Sequence, residues 1–564
     1  MRNLVSVAKG EVPADLIIAN AKIVNTFTAE IEQGNIAISG DRIAGIGDYH
    51  QAKETVDLGG KYVIPGLING HIHVESSMLD MDQYAQAVVP RGTSAIVTDL
   101  HEIANVRGLE GMKYMLDIAE HLPIDVFLMV PSCVPATPLE TSGAKITAEM
   151  VRDILEWKNA IGLGEMMNFP GVLFGDEEVL RKLSLAGERV IDGHAPGLEG
   201  MNLNAYIAAG PGSDHESTTM EEGREKLRRG MHLMIREGSS EKNLEALIPL
   251  VNDNTYHRCL FVVDDRSCSD LLRDGDIDAV VRKAIRKGLD PIRAIQLATI
   301  NPARYFRLNG LGAIAPGYFA NFLVVSNMMD IDVGMVFYRG QMVAKEGKPL
   351  FSFSSPAGGG IKDTVNIKPF DVTDLRLSAD RSACPIIEVV PGQIITRKIY
   401  EIAKTEDGCI IADTERDILK LVTVERHNAT GNIGKGLVKG FGLARGAMAT
   451  SIAHDSHNIV GVGTNDEDIY AAIKEIERLQ GGLVIVAEGR ILDALPLPIA
   501  GLLSDQPLHA VVDELESLQR TASSIGCQLE APFAVLSFLA LPVIPELRLT
   551  DLGLVDVVEF KLLS

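Results

Sequence analysis

Positive charge is scarce in this sequence. Its 53 Lys and Arg residues face 76 Asp and Glu, leaving a formal net charge of -23. A basic footprint for phosphate backbones is missing, which argues against nucleic acid as a partner. Paired cysteines are missing as well. Cys133, Cys259, Cys268, Cys384, Cys409 and Cys527 are scattered and form no CxxC motif. They are expected to be reduced, mostly buried thiols of a cytoplasmic protein. No apolar run reaches the roughly 20 residues of a membrane helix. The longest, 531–544, contains Pro532 and Pro542, so no membrane partner is expected. Residues 1–16 hold no apolar core of signal-peptide length. Gly431, Gly434, Gly436, Gly440 and Gly442 precede no Gly-Lys-Ser/Thr and read as turns, not as a phosphate loop.

What is present suits a multidomain globular protein. The 564 residues exceed one hydrophobic core, and 46% are hydrophobic against 23% charged. Residues 15–48 read as short strands, with turns at Glu32-Gln33-Gly34 and Ser39-Gly40-Asp41 and no useful helix. From residue 62 the pattern changes. Strands are expected at 62–68, 95–98, 125–130, 160–163, 189–191, 206–209, 232–235 and 259–263, with amphipathic stretches between most of them. Such alternation implies a parallel sheet, and eight units close a barrel. The strand-rich run 310–348 is placed with the N-terminal β module. Residues 354–360, Ser-Ser-Pro-Ala-Gly-Gly-Gly, read as a flexible connector. The expected architecture is α/β: a (β/α)8 TIM-like barrel over 66–304, a composite small β-sandwich from 1–65 plus 305–353, and a C-terminal α/β domain over 372–564.

The chemistry gathers at strand ends. His71 and His73 are alternate residues on an extended segment, so both imidazoles point one way, as a metal ion requires. His101-Glu102 follow the second expected strand, Glu165 ends the fourth, His194 the fifth, and His215 follows the sixth. Asp264 ends the eighth. In a (β/α)8 barrel the active site lies at that end. Each residue alone has a structural explanation, such as a cap or a turn. Together they supply six ligands, enough for two cations sharing a carboxylate.

On these residues the chain resembles the amidohydrolase superfamily. The stretches Ala298-Thr299-Ile300-Asn301-Pro302-Ala303 and Gly312-Ala313-Ile314-Ala315-Pro316-Gly317 extend the likeness, and Asn321 departs from it where many members carry Asp. Within the superfamily, residues 70–77, 101–106, 162–172, 193–196, 264–266, 426–434, 454–458, 463–466, 495–501 and 541–546 resemble the bacterial-type adenine deaminase family. The resemblance implies hydrolysis of a small purine base, adenine, to hypoxanthine and ammonia by a metal-activated hydroxide, in purine salvage. It implies two divalent ions, Mn or Fe before Zn, and a homo-oligomer. His71, His73 and Asp264 would hold one ion, His194 and His215 the other, with Glu165 bridging. Asp264 would move the water proton. The donor to ring N1 stays open among Glu165, His101 and Glu216, because His194-Ala195-Pro196-Gly197 lacks the HxxE glutamate of many deaminases in this superfamily. His454 and His457 either reach the substrate from a loop over the barrel or shape a turn. The rival readings are an amidohydrolase acting on a cyclic amide or N-acetyl amino sugar, and a non-catalytic scaffold.

Overall fold

The computed structural model describes residues 1–352, 361–379 and 383–563. Eight parallel strands form the central barrel: Leu67–His73, Thr93–Asp99, Asp125–Val130, Ala160–Met166, Val190–Gly193, Ser213–Asp214, His232–Arg236 and Cys259–Val262. The first five pair in sequence order, as do the last three. Gly212 N–H donates to the Ile191 carbonyl (2.9 Å) and joins the two arcs. The pair Asp264–Asp265 continues the eighth strand onto Leu67–His73 and closes the ring. Strands buried on both faces are mostly apolar or small, and the polar residues they carry need partners. Leu67–His73 and Thr93–Asp99 are buried at every position.

Two strand assignments differ from expectation. The run 62–68 is two strands that belong to different sheets. Tyr62–Pro65 pairs antiparallel with Phe322–Val325 and parallel with Ala14–Asn25 in a nine-stranded N-terminal sheet. The chain then passes into the barrel at Gly66, where a Cβ would strike the Ser94 side chain. His71 and His73 therefore lie within the first barrel strand, not after it. Residues 206–209 close the helix Gly200–Ala208, whose buried Leu203 and Tyr206 mark one helical face. The sixth strand is the two-residue Ser213–Asp214. A four-residue apolar run suits either state, and here the helical packing prevails.

The N-terminal sheet folds around Ile18, Ile36, Val63, Phe322 and Phe337, with the last two rings stacked 4.6 Å apart. Glu30–Ser39 runs straight through the expected turn at 32–34, and a helix at Arg2–Ala8 precedes the stretch read as strands. Asp125, at the entry of the third barrel strand, fastens this sheet to the end of the barrel away from the strand-end histidines. It accepts from Tyr338 Oη (2.9 Å) and Arg339 Nη2 (2.6 Å). Replacing it, as Asp125→Ala, strands the guanidinium and should lower unfolding free energy by about 2–3 kcal/mol. Denaturant titration checks this, with kcat expected to stay within about twofold because the active site of a barrel lies at its other end.

The connector expected at 354–360 lies outside the described residues. Residues 361–370 pack onto the C-terminal sheet, with Val365 and Ile367 against Ala472, Ile473 and Ile476 of the helix Asp466–Leu479. That sheet has eight strands and is antiparallel except where Cys384–Val389 meets Ile433–Lys439. Gly434 and Gly436 sit inside Ile433–Lys439, so these two are strand glycines rather than turns. Gly434 leaves room for the Thr550 carbonyl to approach.

This sheet covers the barrel mouth. Val106 and Val134 share one apolar cluster with Met448, Val460 and Val462. Polar contacts fix the register of the contact. Thr141 N–H donates to Asp551 Oδ1 (2.9 Å), Asn458 Nδ2 to the Thr141 carbonyl (2.8 Å), and Ser504 N–H to the Met78 carbonyl (2.8 Å). Met78 and Thr141 belong to loops that leave the C-terminal ends of barrel strands.

Candidate metal centre

At the barrel mouth, side chains far apart in sequence meet around Glu165. Glu165 Oε1 lies 3.1 Å from His73 Nε2 and 3.9 Å from His71 Nε2. Its Oε2 lies 2.8 Å from His194 Nδ1 and 3.3 Å from His215 Nε2. Asp264 Oδ1 faces His71 Nε2 at 3.4 Å and His73 Nε2 at 3.2 Å. Three-residue groups with ligand atoms within 4.8 Å of one another include His71–His73–Glu165, His71–His215–Asp264 and Glu165–His194–His215. The six residues expected as metal ligands thus meet at one place.

The backbone explains the convergence. Each residue leaves or occupies the end of a parallel strand, and successive strands bring those ends into a ring. Supporting bonds set the orientation. The His73 Nδ1–H points to the Asp99 carbonyl (2.9 Å), which fixes the tautomer and leaves Nε2 as the electron-pair donor. Asp99 Oδ2 accepts the Glu165 N–H (3.1 Å), and the Ser132 hydroxyl donates to the Glu165 carbonyl (2.6 Å). Tyr206 Oη accepts the His194 N–H (3.0 Å).

Electrostatics favours positive charge here. Burial works to raise the Glu165 pKa, but contacts with His194, His215 and His73 outweigh it and hold the carboxyl well below its usual range. Burial likewise opposes ionisation of Asp264, and the Arg236 guanidinium overcomes it. His73 and His215 are pushed well above the ordinary histidine value by these carboxylates despite their burial. His71 is lowered by burial and by His215. Both its ring nitrogens are buried without a hydrogen-bond partner, as is His215 Nδ1. A buried nitrogen so placed is costly unless something binds it. An imidazole and carboxylate set with unpaired buried nitrogens fits divalent cations such as Mn, Fe or Zn.

The remaining candidates lie on two sides. His101 Nδ1 is 3.7 Å from Glu165 Oε1 and 3.6 Å from Asp99 Oδ1, while its Nε2 is 3.4 Å from Glu102 Oε1. Burial and His73 work against charge on His101, and the Asp99 and Glu102 carboxylates outweigh them, raising its pKa well above the ordinary value. Glu216 Oε1 lies 3.3 Å from His215 Nε2 and 3.8 Å from His194 Nδ1. Despite burial, Arg236 holds Glu216 far below the usual carboxylate range. His454 and His457 stand beside Glu102, not among the converging ligands.

Sequence reasoning missed Arg236. Its Nη1 contacts both Glu216 Oε1 and Asp264 Oδ2. Arg236 is the last residue of the seventh barrel strand, an end to which no chemistry was assigned. The pattern of functional strand ends was the signal that pointed to it. Asp99, ending the second strand, was also missed, because His101 and Glu102 two and three residues later drew the attention at that end.

The amidohydrolase family model matches residues 62–358, and the adenine deaminase C-terminal domain model matches 393–561. An adenine deaminase of Dehalococcoides mccartyi is 59% identical, with 100% of this chain and 99% of that protein covered. Adenine deaminase 2 of Carboxydothermus hydrogenoformans is 49% identical over 100% of this chain and 98% of its own length. The adenine deaminase of Halalkalibacterium halodurans is 46% identical over 99% and 97%. Two family models and relatives 46–59% identical over nearly the whole chain place it in the amidohydrolase family, among the adenine deaminases.

Proposed function

We propose that this enzyme deaminates adenine hydrolytically to hypoxanthine and ammonia, with His71, His73 and Asp264 holding one divalent cation, His194 and His215 a second, and Glu165 between them. The observation that carries the reading is the convergence of those six side chains in a chain that matches adenine deaminases from end to end. Nitrogen and oxygen donors without thiolate suit Mn or Fe, and also Zn. Bound cations would make water acidic enough to ionise near neutral pH and would stabilise charge building on the purine.

The residues divide the proton work. The reaction moves the oxygen of water to C6 and its two protons to N1 and to the departing amine. Asp264, kept ionised by Arg236 and set between His71 and His73, takes the water proton and delivers it to the amine. Glu165, held as the anion by three imidazoles, is a ligand and not an acid. His101, whose Nδ1 faces Glu165 at 3.7 Å, gives a proton to N1 and recovers the second water proton as the C6 carbonyl forms, so both water protons are accounted for. Glu216, anionic beside Arg236, accepts a ring N–H of the base.

The setting follows from the same residues. Among the described residues no helix is long and apolar enough to cross a membrane, and all six cysteines are free. Free, mostly buried thiols support a cytoplasmic enzyme. Phe174 and Met201 stand almost fully exposed on neighbouring helices, which supports a homo-oligomer. Incubation with adenine tests the activity. Hypoxanthine and ammonia in equal amounts are expected. Activity on amides with no ammonia from adenine would overturn the reading.

A further inference from the structure

Residues 451–458 join the strands Ala447–Thr450 and Ile459–Gly463 of the C-terminal sheet. They reach down to the first turn of the helix His101–Ala119, which follows the second barrel strand. Two of their side chains meet Glu102. His454 Nδ1–H donates to Glu102 Oε1 at 2.7 Å. His457 Nδ1 accepts the Ala453 N–H (3.2 Å), which places its own proton on Nε2, and Nε2 abuts Glu102 Oε2. Both carboxylate oxygens are thereby engaged from the C-terminal side, across 352 residues of sequence for His454.

The pair is built rigidly. The His454 ring stacks on Phe538, with centroids 4.4 Å apart and planes 15° apart. The His457 N–H donates to the Ala453 carbonyl (2.7 Å), and its own carbonyl accepts from the buried Arg426. Glu102, His454, His457 and Arg426 are buried, and Phe538 is half-buried. On its other side Glu102 Oε1 faces His101 Nε2 at 3.4 Å, and His101 Nδ1 faces Glu165 at 3.7 Å. A chain of contacts therefore runs from the C-terminal sheet to the centre of the barrel mouth: His454 to Glu102, Glu102 to His101, His101 to Glu165.

We propose that His454 and His457 are positioning residues for the deamination, which clamp Glu102 and through it hold His101 in line with Glu165. The C-terminal sheet is then a working part of the site rather than only a cover. His454 and His457 touch Glu102 instead of the base, so their loss is read in turnover and not in adenine affinity. The proposal rests on the proposed role of His101 as the donor to N1, which follows from its place between Glu102 and Glu165, and its test separates the two claims.

The test is steady-state kinetics on the full-length, metal-loaded protein, with metal content measured on every sample. His454→Ala should lower kcat about 30-fold with KM within about threefold, a loss typical of a misaligned acid. His454→Asn, whose amide nitrogen replaces Nδ1, should recover kcat to within about fivefold of the parent. Glu102→Gln should match His454→Ala, and the double variant should be no worse than either single one, since both break the same link. Losses that multiply in the double variant, or a kcat loss no larger than the loss of bound metal, would overturn the proposal. A KM rise without a kcat loss would overturn it too, by showing direct substrate contact. His101→Asn is measured in parallel. If it loses turnover while His454→Ala does not, the clamp fails and the acid assignment stands. If His101→Asn keeps full turnover, both fail.

Discussion

Replacing Glu165 with glutamine should cut kcat for adenine by about 10³- to 10⁴-fold and release bound metal. The carboxylate sits among His71, His73, His194 and His215, each within 3.9 Å of one of its oxygens. Glutamine keeps the shape and removes the charge. It also turns one acceptor into an N–H₂ group aimed at imidazoles that need a partner or a cation. A loss of that size corresponds to about 4–5.5 kcal/mol, at and just above the upper end of the cost of losing one member of a buried charged cluster. The measurement is kcat together with metal per chain. Parent-like activity at parent-like metal content would contradict the assignment.

Asp264→Asn should behave differently. We expect a kcat loss of about 10³-fold, within the usual range for losing a proton-transfer group, with KM within about threefold. Asp264 occupies the left-handed region, at a φ of 62°, and asparagine tolerates that backbone as aspartate does. A folding defect should therefore not confuse the result. The amide oxygen can still face His71 and His73, but asparagine cannot accept the water proton. Arg236 would lose one of its two anionic partners and keep Glu216. Equal falls in kcat and kcat/KM identify a contact made in the transition state. A tenfold or larger KM rise at unchanged kcat would make Asp264 a binding residue.

The parts of this architecture that were legible in sequence are those with a local period. His71 and His73 share a direction because alternate residues of a strand do, and no tertiary information is needed to see it. Glu165, His194 and Asp264 were visible because each follows a short apolar run at a strand end. The strand change at Gly66 was not visible, since Tyr62–Pro65 and Leu67–His73 read as one apolar stretch although they serve two sheets. The two-residue strand Ser213–Asp214 was too short to carry a pattern, and the apolar end of the helix before it took its place. His454 could be noticed in the sequence but not placed. Its partner Glu102 lies on another sheet's territory, and only the docking of the C-terminal sheet brings the two together. Arg236 shows the converse: a strand end with no metal ligand was passed over, although its charge sets the ionisation of two neighbours.

The most direct measurement is removal and return of metal. The enzyme is stripped with a chelator, and bound metal, hypoxanthine and ammonia are followed as Mn, Fe or Zn is added back. Activity should fall to background on stripping and return in proportion to bound Mn or Fe, levelling near about two ions per chain. Full deamination by protein that retains less than about a tenth of an ion per chain would contradict the account, because the ring of His71, His73, Glu165, His194, His215 and Asp264 would then have no chemical purpose.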